Sequence, residues 1–436
     1  MKVLKTMIKK SFLGLSTPRL EYEKLLTNQP KPLEILPQKN AMFFLDYPFE
    51  KNITQYLKEG DPVKTGQKLS FKNGRYLISS VTGTVASIAS HAGNFNHLYT
   101  AVSVAINQNE NKDTQFSKLS DSPSIDTVKD YLLSVPGKLP ESLFTDKAKS
   151  FDTIIVCAAD SDLLITTNQY ILKNNTHAVK NGIDILKEIT SINNIIIIAP
   201  KFLQEEASAT GAKVKCLDLT YPSALPHMIM KDVLNRIVPA QKTCEDMGVC
   251  FISAEAVASI GNAFENNQIP VTKLLNVVKK DKSNVLVSAR IGTPIDTIFK
   301  SVDIKLNEKD RIIIGGPMKG CSVYSDNHPV LSDTDAIIIQ DSASVSLVSD
   351  NPCTNCGECI RICPVNVPVN MLVRFLEAGL YVEACEQYDL FSCIECGLCS
   401  YVCISKIPIL QYITLAKHEL GRMERNESDA AEEING

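Results

Sequence analysis

The sequence predicts a multidomain α/β protein that ends in a helical, cysteine-rich domain, and three observations predict it. At 436 residues the chain is long enough for several separate cores. In its middle, buried β-branched runs such as DTIIVCAA and NNIIIIAP alternate with helical patterns. Near the carboxyl end, eight of the 14 cysteines fall in two compact runs. The composition narrows the function classes: 44% of residues are hydrophobic, the net charge is only −4, and no run of about twenty apolar residues occurs. A membrane span and a nucleic-acid partner are therefore not expected.

Residues 1–40 read as an amino-terminal arm. Four lysines within Met1–Lys10 precede the short run FLGL, and Pro18 and Arg19 follow at once. That run is too short for an export signal, so the expectation is a solvated arm that touches a partner or an anionic lipid surface. Residues 41–107 are rich in short strands, with Gly60 and Gly66 at hairpin turns and Gly83 between two strands. GDPVKTGQ and SSVTGTV resemble the barrel-sandwich hybrid of biotinyl and lipoyl domains. The hairpin tip has no Met-Lys-Met triplet, which implies a docking module without a swinging arm.

Residues 108–280 begin with a polar stretch holding one short helix near Ile125–Leu133. Strands in DTIIVCAA, NNIIIIAP and KVKCLDL follow, and NQYILKNNTHAVKNGIDILKEI between the first two reads as one helix. This predicts a Rossmann-like, doubly wound parallel sheet. Ligands of such sheets bind at the carboxyl ends of the strands, where ADSDLLITTN stands. The nearby SVPGKLPES has one glycine where a phosphate cradle needs several. Asp160 and Asp162 are expected as two solvated aspartates that close the strand and repel phosphate.

Residues 281–340 predict a β-grasp module. Thr293 is the expected helix N-cap, Pro294 the first helical residue and Asp296 a complement to the positive helix end, while Ile295, Ile298 and Phe299 form the apolar face. Gly315-Gly316-Pro317 closes the module in a tight turn, and DAIIIQDSASVSLV supplies a strand leading onward. In residues 341–420, VNMLVRFLEAGLYVEACEQYDL is helical with a stop at Gly379, which suits an α-helical ferredoxin-like arrangement. Residues 421–436, rich in charge and glutamate, are expected to be disordered.

The two cysteine runs, CTNCGECIRICP and CIECGLCSYVC, both have the spacing C-x2-C-x2-C-x3-C of dicluster bacterial ferredoxins. In that spacing the fourth thiolate of each run ligates the other cluster. Cys353, Cys356, Cys359 and Cys403 are thus assigned to one [4Fe–4S] cluster, and Cys393, Cys396, Cys399 and Cys363 to the second. Structural zinc sites use two separated pairs and have no role for a third closely spaced cysteine. Disulfides would need an oxidising compartment. Pro364 follows the first run as the pattern expects, and Ile404 takes that place in the second. Gly357 and Gly397 allow backbone N–H groups to approach cluster sulfur. The other six cysteines (Cys157, Cys216, Cys244, Cys250, Cys321 and Cys385) lack ligand spacing and are expected as buried thiols.

From about Asn40 to Leu420 the chain resembles the RnfC family, the C component of the Rnf electron-transport complex. GGPMKG and the stretches NPCTNCGECIRICPVNVPV and DLFSCIECGLCSYVCISKIPILQYITLAK carry the likeness most specifically, and YPSALP at Tyr221 and DMGVCFISAEAVASI at Asp246 add to it. The cobalamin reductase of propanediol utilisation is similar in layout, and the α/β region resembles the flavin-binding subunit of respiratory complex I. The resemblance implies a peripheral subunit on the inner, cytoplasmic face of the cell membrane, with other Rnf-like subunits and a soluble ferredoxin or flavodoxin as partners. Relatives of this kind bind FMN and NADH through a glycine-rich loop and a Glu-Cys-Glu-Pro-Tyr phrase. Here LLSVPGKLPESL and Ala159–Leu164 stand in those places, so electron transfer through two clusters without NADH oxidation is the leading expectation. An FMN-containing NADH or cobalamin reductase is the alternative, and a scaffold with structural clusters a second.

Overall fold

The computed structural model describes residues 18–49, 57–93, 97–120, 124–145, 150–345, 348 and 351–435. The lysines of Met1–Lys10 lie outside them. The chain divides into two compact units, one made of residues 22–219 and 244–344, the other of residues up to 21, 220–243 and 345 onward.

The larger unit is mixed α/β and holds several sheets. Its parallel sheet has four strands in the order Lys213–Leu217, Asn194–Pro200, Thr153–Cys157, Val249–Ser253. The inner strands are nearly continuous apolar runs, as strands covered on both faces must be, and Ile154, Ile155, Ile197 and Ile198 are buried. The expected single helix after the first strand is two, Thr167–Asn174 and Thr176–Thr190, separated at Asn175. There Thr176 Oγ1 donates to Leu172 O at 2.6 Å, a local bond that competes with the helical ladder. Gly182 and Gly261 let Thr176–Thr190 and Ala254–Asn266 approach closely: a Cβ on Gly182 would lie 1.9 Å from Val257 O.

Between Asn40 and Ile106, strands Asn40–Leu45, Leu98–Ile106, Gly83–Ala92 and Pro62–Val63 form one sheet, and Lys68–Ser70 pairs with Tyr76–Ile78. Gly60 and Gly66 take left-handed φ of 91° and 83° at turns. Gly83 has no room for a side chain, because Ala105 O would be 2.1 Å from its Cβ.

A six-stranded mixed sheet is built largely from residues 272–340, with the helix Ile295–Ser301 buried on Ile295, Ile298 and Phe299. It reaches beyond the expected module. Thr272–Val278 is one of its strands, and Leu33–Ile35, from the stretch expected as a solvated arm, pairs parallel to Asn284–Arg290. Thr293 is not the helix cap. Pro294 holds that position, and Thr293 Oγ1 is buried without a hydrogen-bond partner among the described residues. Buried Lys273 and Glu255 form an ion network with half-buried Asp335, Lys273 Nζ lying 2.8 Å from Asp335 Oδ1. Lys273 is fully buried, so its charge depends on both carboxylates.

The smaller unit is helical around the cysteines. Gly379, at φ 73°, ends the helix Val369–Glu377 before Tyr381–Tyr388 begins. The last helix runs Ile409–Asn435, into the stretch that composition reads as a disordered tail. Of the six other cysteines, Cys244 and Cys250 are buried as expected, Cys157, Cys216 and Cys385 are half-buried, and Cys321 is exposed on an outer strand.

Candidate metal centre

The smaller unit contains an internal repeat with an interval of 40 residues, as from Cys353 to Cys393. In each copy a residue before the second cysteine and a glycine after it take left-handed backbone: Asn355 and Gly357 at φ 55° and 77°, Glu395 and Gly397 at φ 53° and 72°. Two left-handed residues around one cysteine coil the loop tightly enough to turn successive thiols inward, and Gly357 adopts this backbone without steric cost. A five-residue helix follows, Glu358–Ile362 or Leu398–Val402. Each copy then turns at Asn366 or Lys406, at φ 58° and 57°, and enters a helix behind Pro368 or Pro408.

The repeat makes two hollows. Cys353, Cys356, Cys359 and Cys403 line one, together with Asn370 and Ile409. Cys363, Cys393, Cys396 and Cys399 line the other, with Val369 and Leu410 at the corresponding wall positions. Each hollow therefore takes three thiols from one run and the last thiol of the other. Among the described residues no group of His, Cys, Asp or Glu converges tightly enough to chelate a single ion. Four thiols lining one hollow are the donor set that a [4Fe–4S] cluster requires.

Burial and mutual crowding also act on these thiols. Burial, followed by the nearby Cys353 and Cys356, pushes the Cys359 thiol up to about 11. Cys393 is pushed up to about 11 by burial, against the lowering influence of the Glu395 N–H and of Lys417. Cys399 is raised by burial first and then by Cys393, Cys396 and Cys363. Thiols that crowd one another in this way become thiolates only when a cationic centre compensates them, and iron would do so.

The second hollow is also surrounded by groups that spacing did not reveal. Tyr221 Oη, itself buried, donates to Cys396 O at 2.7 Å. Lys417 Nζ donates to Cys393 O at 2.7 Å and to Glu395 Oε1 at 2.8 Å. The Glu395 N–H points at Cys393 Sγ, 3.4 Å away. His227, half-buried in the helix Pro226–Asp232, is held below its ordinary value by burial and then by Lys417. The phrase YPSALP and a lone lysine on the apolar ILQYITLAK helix were the available signals, but neither says which residue it meets.

The other candidate position, at the carboxyl ends of the parallel strands, differs from expectation. Asp160 and Asp162 are not solvated but 2% and 3% exposed. Asp160 accepts from Asn168 N at 2.8 Å, Gln169 Nε2 at 3.0 Å and Thr167 Oγ1 at 3.1 Å. Asp162 accepts from Leu163 N at 2.7 Å, Lys319 N at 2.8 Å and Met318 N at 3.2 Å, so it fastens the GGPMKG turn. A Cβ on Gly316 would sit 2.2 Å from Asp162 Cγ, which explains the glycine there. Burial raises both carboxyls despite these donors. The N-terminus of the helix Ala254–Asn266 is likewise covered by the chain itself: Ser253 Oγ accepts from Ala256 N, and a Cβ on Gly137 would lie 2.4 Å from the same nitrogen. The first-turn amides of Glu255 and Ala256, which could meet a phosphate, are thus engaged internally.

Among curated proteins, the C component of the ion-translocating oxidoreductase complex of Buchnera aphidicola is 28% identical over 284 residues, 62% of this chain and 59% of that protein. The C component of the proton-translocating ferredoxin:NAD(+) oxidoreductase complex of Clostridium ljungdahlii is 25% identical over 439 residues, 94% of each chain. The chain is a homologue of these RnfC-type proteins. It spans only 36% of the Pseudomonas aeruginosa counterpart, at 26% identity. No protein-family model matches. Two crystal structures of NAD+-reducing [NiFe]-hydrogenase, air-oxidised and H2-reduced, are similar at 11% and 10% identity with TM-scores of 0.41 and 0.44. They cover 61% and 72% of this chain, and the chain covers 55% and 68% of theirs. These likenesses are too slight to locate any residue.

Proposed function

We propose that the chain is the electron-transfer subunit of an Rnf-like ion-translocating complex, with one [4Fe–4S] cluster on Cys353, Cys356, Cys359 and Cys403 and a second on Cys393, Cys396, Cys399 and Cys363. The observation that carries this reading is the gathering of the eight cysteines into two four-thiol hollows, each completed by a residue from the opposite run. When bound, such clusters take up and release single electrons with no bond made or broken in the protein. The cysteines then serve as ligands, and Val369, Leu410, Ile407 and Ile409 keep water from the sulfurs. Homology to RnfC-type proteins supports membrane subunits of the complex as partners. The name of the Clostridium protein supports a soluble ferredoxin as donor or acceptor, and flavodoxin would serve the same one-electron role. Among the described residues no helix is long and apolar enough to cross a membrane, which is compatible with peripheral attachment to the inner face of the cell membrane.

The reading includes no NADH oxidation by this chain. Its support is the internal engagement of Asp160, Asp162 and the Ala254–Asn266 helix terminus where a nucleotide would bind. Iron and acid-released flavin measured on one anaerobic preparation test both parts. About eight irons per chain and no flavin are expected. A stoichiometric flavin bleached by NADH would replace the proposal with a flavoenzyme, and an iron-free, colourless protein would end it.

A further inference from the structure

We infer that Lys417, restrained by Glu395, makes the second cluster the easier of the two to reduce, so that a single electron on this chain rests there. The inference depends on the two-cluster reading above. Its basis is the 40-residue repeat, which supplies an internal control. The position corresponding to Lys417 in the first copy is Glu377, an exposed carboxylate, and the position corresponding to Glu395 is Asn355. One hollow therefore has a cation fixed beside its first cysteine where the other copy carries an anion.

Lys417 is firmly placed. Its ammonium donates to Cys393 O at 2.7 Å and to Glu395 Oε1 at 2.8 Å, and it lies 6.0 Å from the centre of the Phe391 ring. Its side chain is 18% exposed, while that of Glu395 is 38% exposed. Water thus screens the carboxylate more than the ammonium, and a positive field remains at the hollow. Adding an electron makes a cluster more negative, and a nearby cation favours that state. Tyr221 acts in the same direction, since its donation to Cys396 O withdraws electron density from a second peptide of the loop. Both carbonyls therefore receive side-chain donors in the copy that is also the more buried, with Cys396, Gly397, Leu398 and Cys399 all buried. Burial alone opposes added charge, and the lysine is what reverses that preference. In this scheme Lys417 is a positioning residue, since it would act on the cluster without ligating it.

The test is a stepwise anaerobic reduction of the full chain followed by EPR, with the second cluster's signal identified as the one lost in Cys396→Ala. Lys417→Gln is expected to lower the midpoint of that signal so that its electron occupancy falls about tenfold relative to the first, about 59 mV for a one-electron couple. Glu395→Gln is expected to raise the same midpoint, and Lys417→Arg to leave it near the native value. The first cluster's midpoint should stay in place in all three. Shifts in the same direction for Lys417→Gln and Glu395→Gln would show a structural contact only and overturn the inference, as would unmoved midpoints in both. Native protein without reducible iron would instead overturn the cluster reading itself.

Discussion

The two halves of the cysteine unit share a backbone almost residue for residue and differ in what surrounds it. Around the first hollow, Asn355 and Cys356 are exposed, Asn370 Nδ2 donates to Asn355 Oδ1 at 3.0 Å, and Ile404 is 67% exposed. Around the second, Leu410 replaces Asn370, Cys396 is 7% exposed, and Tyr221 and Lys417 bond to the loop. One backbone solution for holding thiols is thus used twice, once at the surface and once beneath added chain. The surroundings, not the ligand set, distinguish the two, and these are the levers that set potential and access. On the two-cluster reading proposed above, an electron arriving from a soluble partner would meet the more exposed centre first.

The strongest way to break this comparison is to cut the crossing. Cys403→Ala should abolish the first cluster, although Cys403 belongs to the second run, and Cys363→Ala should abolish the second. Each should lower iron content by roughly half, as two equal cubanes require. Iron analysis with EPR would check this, and loss of the cluster belonging to the mutated run's own first three cysteines would refute the crossed assignment. Next in size is access. Under air or a chelator, visible absorbance should decay in two phases of roughly equal amplitude, since both sites hold the same number of irons. The EPR signal that persists should be the one absent from Cys396→Ala.

A smaller effect concerns the added chain. Tyr221→Phe leaves the buried Cys396 carbonyl without its hydroxyl donor and should cost about 1–3 kcal/mol in denaturant unfolding. Asn370→Ala, whose bond is exposed, should stay within about 0.5 kcal/mol. Equal costs would mean that the two surroundings are energetically alike. The smallest effect is a pH slope. Burial and Lys417 hold His227 low, so the unfolded chain takes up the proton first as pH falls. The stability involved is complete above the unfolded imidazole range, about 6.5, and is lost as pH falls through the depressed native value. His227→Gln should flatten that part of the stability profile, measured as unfolding midpoints from about pH 8 to about pH 5.

The sequence announces what depends on spacing and period. The cysteine runs show in order which thiols face inward, and the β-branched runs at Ile154 and Ile197 mark the parallel sheet, because both signals are local. What it conceals depends on distant partners. Nothing near Asp162 tells that its carboxylate will meet the amide of Lys319, 157 residues away in sequence, and a charged pair in a loop reads as solvated. Tyr221 and Cys396 are 175 residues apart. Leu33–Ile35 is too short to show a strand period, and only its pairing with Val287–Ala289 makes it one. The break at Asn175 is different in kind, since the asparagine and threonine there are locally visible competitors of the helix and the apolar period across them masked the interruption.

Because each hollow borrows its last wall residue from the opposite copy, neither copy is self-sufficient. A chain interrupted near Gly379 would leave Cys353, Cys356 and Cys359 facing a gap that Cys403 should fill, and Cys363 with no site of its own. The two copies interlock like links of a chain, so neither copy could be shed without opening the hollow of its twin.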